Sequence, residues 1–89
     1  MNLTNKVKVL AAIIRRQSQA GQAGDFKASC AATVERENLT ASFFTNGLCL
    51  NTFRKVLKRW LHENPQGAEG SDDYFVWHEL YDLWLETHG

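Results

Sequence analysis

The chain has 89 residues and no net formal charge, and it is 44% hydrophobic and 22% charged, with three Trp, five Phe and two Tyr. That is too apolar for a disordered chain and long enough for one core. Its longest apolar run, residues 9–14, is far short of the roughly 20 residues that span a bilayer. Asn2, Leu3 and Thr4 do not read as the basic start of a secretory leader, so the expectation is a cytoplasmic protein without a membrane segment.

The zero net charge conceals a division. From Met1 to Trp60 there are ten Lys or Arg against three acids (Asp25, Glu35, Glu37); from Leu61 to Gly89 there are seven acids and no Lys or Arg. A basic body followed by an acidic segment speaks to partners rather than to fold.

The first predicted helix covers residues 4–19. Val7, Leu10, Ala11 and Ile14 follow the i, i+3, i+4, i+7 spacing of one buried stripe, widened by Val9 and Ile13. Asn2 or Thr4 caps its start, and the AGQAG run of residues 20–24 stops it, because glycine supports the conformation that ends helices. A second helix is expected over 25–38, capped by Asp25, with Phe26, Cys30 and Val34 four apart on a narrow face beside Ala31. A short third helix fits 40–46, capped by Thr40, anchored by Phe43 and Phe44, and ended by Gly47.

The fourth helix has the clearest pattern. Asn51 caps it and Pro65 lies beyond it. Phe53, Val56, Leu57, Trp60 and Leu61 make a full apolar stripe, with Arg54, Lys55, Lys58, Arg59 and His62 opposite. Residues 64–71, beginning NPQGAEG, read as a flexible linker. A fifth helix over 72–87 opens with Ser71 as cap and with Asp72 and Asp73 at its positive end. It carries Tyr74, Phe75, Val76, Trp77, Leu80, Tyr81, Leu83, Trp84 and Leu85, too many to face one core from one side. Trp77, Tyr81 and Trp84 are the candidates to face a partner. The expected fold class is all-α: a small single-domain bundle of four or five short helices, with the fourth at its centre.

Chemistry-bearing constellations are sparse. Cys30 and Cys49 read as reduced, half-buried thiols, with one disulfide as the alternative in an exported protein. They form no CxxC pair, and His62, His78 and His88 show no HxxxH spacing, so no metal or cofactor is expected. Cys49, His62 and Asp82 form a triad only on paper, because a triad is defined by geometry. No glycine run is followed by the Lys and Ser or Thr of a phosphate loop. No enzyme is expected.

Residues 40–60 read as a short helix, a glycine turn at Gly47, and a second helix with Leu48, Phe53 and Val56 inside and basic residues outside. This stretch resembles the helix-turn-helix motif of DNA-binding regulators. It departs from the motif in Phe43, where a small residue is usual, and in Ser42 and Asn46, where apolar residues are usual. The resemblance implies that Asn51, Thr52, Arg54 and Lys55 lie at base edges or nearby phosphates, with Lys58, Arg59, Arg15 and Arg16 at phosphates. The fifth helix would then join two copies as a homodimer. The other expectation is a non-enzymatic adaptor or inhibitor, of the kind phages and plasmids encode. It would bind a protein partner through Trp77, Tyr81 and Trp84, with Asp72 and Asp73 steering a basic surface. A solvated basic face and a closed core would account for the same residues without either role.

Overall fold

The computed structural model describes residues 2–45 and 50–88. Four helices and no strand occur among them: α1 (Leu3–Ala23), α2 (Phe26–Thr45), α3 (Leu50–Glu63) and α4 (Asp72–His88). The protein is an all-α bundle. No helix among the described residues is long and apolar enough to cross a membrane.

The first joint is built by adjacent residues with opposite tasks. The Asn2 side chain accepts the Asn5 N–H at 2.8 Å and opens α1. At its other end Gly24 takes a left-handed conformation (φ 71°). Its N–H reaches the Gly21 carbonyl, and the Asp25 N–H reaches that of Ala20, the double closure that a left-handed residue allows. Asp25 then accepts the Ala28 N–H at 3.0 Å and starts α2. The chain therefore reverses over two residues, and α1 and α2 run antiparallel, with Gln17 donating to Thr33 and accepting from Arg36. The AGQAG stop thus acts at its last residue only, and Gly21 is helical.

The expected second and third helices are one. Asn38 and Thr40 are weak helix formers, but the penalty is below about 1 kcal/mol each. Leu39 and Phe43, one turn apart, pack into the core, which outweighs it. Thr40 is therefore helical and caps nothing. The expected inner face of α2 is also wrong. Ala32, Leu39 and Phe43 face inward, whereas Phe26, Cys30, Ala31 and Val34 are exposed. Cys30 is thus an exposed thiol, not a half-buried one. Asn46, Gly47, Leu48 and Cys49 lie outside the described residues.

One core joins all four helices: Val7, Leu10 and Ile14 from α1, Phe43 from α2, Phe53 and Leu57 from α3, Val76 and Leu80 from α4. The central helix is α1, which packs against each of the other three; the expected centre, now α3, has neighbours mainly in α1 and α4. The reason lies in the width of the stripes. Buried Val7, Leu10, Ile13, Ile14 and Ala20 wrap much of α1, while α3 buries only Phe53 and Leu57 fully.

The segment expected to be a linker is tied down. The Asn64 amide donates to the Trp60 carbonyl, and the Ser71 N–H and hydroxyl both donate to Ala68. Ser71 accepts the Tyr74 N–H at 3.1 Å and so caps α4 as expected. Gly67 (φ 82°) sits where a Cβ would meet the Asp73 Cβ at 2.7 Å, so this turn requires glycine twice over, for its backbone and for its space.

Candidate nucleic-acid interface

The composition of α3 dictates its two sides. With Phe53 and Leu57 buried and Val56, Trp60 and Leu61 packed around them, the 3.6-residue period leaves Asn51, Lys55, Lys58 and His62 in one outward stripe. All four are exposed. Asn51 lies within the first turn of α3 rather than before it as its cap.

Two flanks border this stripe. Toward α1, Thr52 and Arg59 are exposed. Arg59 pairs with Glu63 one turn on, at 3.2 Å, and shares a groove with Lys8 and Arg15 of α1. Toward α4, Arg54 is half-buried and its guanidinium lies over the Trp84 ring, 5.3 Å from the centroid. Asn51, Arg54, Lys55, Lys58 and Trp84 line one depression.

The aromatic residues of α4 continue that surface. Trp77 and Tyr81 stack at 5.4 Å, and Tyr81 and Trp84 at 6.1 Å. All three are half-buried against α3. The Trp77 indole N–H donates to the Leu61 carbonyl at 3.0 Å. The reason is in the sequence: the helical partner of that carbonyl would be residue 65, a proline without an N–H. Lys58, Leu61 and His62 join the three aromatics around a second groove. The basic stripe and the aromatic ladder, read separately in the sequence, are thus one continuous face.

The acids at the start of α4 point elsewhere. Asp73 pairs with Arg15, Asp72 accepts from Ser18 at 2.7 Å and from Gln22 at 3.3 Å, and Glu79 pairs with Arg36 at 3.3 Å. Asp72 and Asp73 are therefore engaged by α1, although Asp73 stands one turn before Trp77 on the same face of α4. Arg16 pairs with Glu35 of α2 and stands apart from the α3 face, whereas Arg15 is near Arg59. Among the described residues every ion pair uses an arginine, and Lys8, Lys55 and Lys58 are in none. The neutralising contacts thus leave the lysines of the stripe uncompensated.

Lys8 was missed in the sequence, although its spacing of seven from Arg15 places both on one face of α1. His62 was read as outward-facing but not as part of the site. Among the described residues no group of three or more His, Cys, Asp or Glu is placed to hold a metal ion. The family models, the curated proteins and the solved structures contain no match to this chain.

Proposed function

We propose that this protein is a small, cytoplasmic DNA-binding regulator whose working element is α3. One observation carries the reading: Asn51, Lys55, Lys58 and His62 form an exposed stripe that α4 borders but does not cover. A helix with short polar side chains near its N-terminus and lysines behind them suits the major groove. Asn51 and Thr52 would reach base edges, and Lys55 and Lys58 base edges or phosphates. Arg59, Arg15 and Lys8 on the neighbouring flank would extend the phosphate contacts. The Arg59 and Arg15 ion pairs are largely exposed, worth at most about 1 kcal/mol, and would yield readily to phosphate.

The resemblance to the helix-turn-helix motif covers residues 40–60, of which 46–49, with Gly47, lie outside the described residues. Phe43 departs from that motif. It stacks on Phe53 with ring centroids 4.6 Å apart, so α2 and α3 meet through two rings rather than across a small residue.

The test is fluorescence anisotropy of a labelled mixed-sequence duplex, titrated with the wild-type chain and with Lys55→Glu/Lys58→Glu. Binding that weakens steeply with salt and is lost in the variant supports the reading. A folded wild-type protein that leaves the duplex unbound at low salt would sink it.

A second reading, a protein-binding adaptor or inhibitor, is favoured by the groove of Lys58, Leu61, His62, Trp77, Tyr81 and Trp84. An acidic side chain beside an apolar anchor would suit it. Tyr81→Ala abolishing capture of a protein partner, with duplex binding absent throughout, would establish it over the first.

A further inference from the structure

Among the described residues, the outer face of α2 is a further unpartnered surface. Phe26 is 84% exposed and Val34 55% exposed. Cys30 lies between them, also exposed, at the i, i+4, i+8 spacing that keeps three residues in line. Glu37 and Ala41 continue the line toward the end of α2, and both are exposed. The inward side of the same helix is satisfied by α1 through Ala32, Leu39 and Phe43. Ordinary surface scatter exposes single apolar residues, whereas an aligned row on one helix marks a contact surface.

Charge identifies what the row contacts. Lys27 flanks its start and Glu37 lies on it toward the far end, and neither enters an ion pair among the described residues. We propose that α2 pairs with α2 of a second copy of this chain, antiparallel about a two-fold axis at the level of Ala32. That pairing sets Lys27 against the second copy's Glu37 and Cys30 against the second copy's Val34, each contact occurring twice, as two-fold symmetry requires. A parallel pairing would set lysine against lysine and glutamate against glutamate, which like-charge repulsion disfavours. The surface is thus complementary to itself in one orientation. It also moves the dimer contact from the C-terminal helix, where the sequence suggests it, to α2. The α3 face stays free, so this dimer does not depend on the DNA reading.

Sedimentation equilibrium of the full chain under reducing conditions tests it, from low micromolar to millimolar concentration. The wild-type chain dimerises. Val34→Asp, at an exposed position, stays folded by circular dichroism and is monomeric. Lys27→Glu and Glu37→Lys each weaken the dimer about tenfold, and Lys27→Glu/Glu37→Lys restores it. A wild-type chain still monomeric at millimolar concentration overturns the proposal. So does a dimer that Val34→Asp leaves intact, or single reversals that the double variant fails to rescue.

Discussion

The Arg54 guanidinium lies over the Trp84 ring, 5.3 Å from its centroid, and so fastens the basic helix α3 to the aromatic helix α4. Near the other end of the same pair, the Trp77 indole N–H holds the Leu61 carbonyl. Between these two ties α3 is fixed along its α4 flank while its outward stripe stays bare. In the DNA reading, a helix held in this way would present its side chains from a rigid backbone, which limits the entropy lost on binding.

The lysines of that stripe set the first expectation. In the DNA reading, Lys55→Ala and Lys58→Ala each lower the slope of log affinity against log salt by about 0.9, one phosphate contact apiece. Arg16→Ala, whose side chain pairs with Glu35 on the α2 side, leaves the slope unchanged. Anisotropy titrations over a salt series measure all three.

Phe43 and Phe53 bear on stability. Both are buried and stack at 4.6 Å. Phe43→Ala removes the ring that brings α2 into the four-helix core and is expected to cost about 3–5 kcal/mol. A chain of this length has roughly 5–13 kcal/mol in total. Urea denaturation followed by tryptophan fluorescence should show a large fall in the midpoint.

Three glycines should answer differently to the same change. Gly21 is helical with nothing within 4 Å of an added Cβ, so Gly21→Ala stabilises by about 0.5–1 kcal/mol. Gly24 is equally open but has φ 71°, so Gly24→Ala costs about 1–2 kcal/mol in backbone strain. Gly67→Ala adds a clash with the Asp73 Cβ to a similar strain and costs most. Thermal unfolding of the three variants gives the order directly.

Trp77→Phe keeps a ring in the ladder and removes the indole donor. The Leu61 carbonyl then loses its partner, because Pro65 cannot replace it. A loss of about 1 kcal/mol is expected, and in the DNA reading the duplex affinity stays unchanged. Paired denaturation and anisotropy measurements separate these two effects.

The periodic helices were legible from residue spacing. The stripe of α3, the start of α1 at Asn2 and the cap of α4 at Ser71 all follow from local rules, since a helix's buried face and its end hydrogen bonds involve residues within a few positions of one another. The candidate site was legible in its exposed members for the same reason, because Asn51, Lys55 and Lys58 lie opposite an unmistakable apolar stripe.

In α2 local rules misled. Phe26, Cys30 and Val34 make as good a stripe as Ala32, Leu39 and Phe43 do, and periodicity alone cannot say which one a neighbour covers. The hairpin at Gly24 and Asp25 chose, by turning the Ala32 side toward α1. The apparent break near Asn38 and Thr40 failed for a related reason: burial of Leu39 and Phe43 outweighed weak propensity on either side.

The residues themselves determined an all-α chain, its clearest helical faces and the division of its charge. Only the tertiary structure decided which helix is central and which arginines are already matched by acids. It alone made the basic and aromatic faces one surface. Those outcomes depend on contacts such as Arg15 with Asp73 and Arg54 with Trp84, between residues far apart in the chain, and they exist only once the helices have packed.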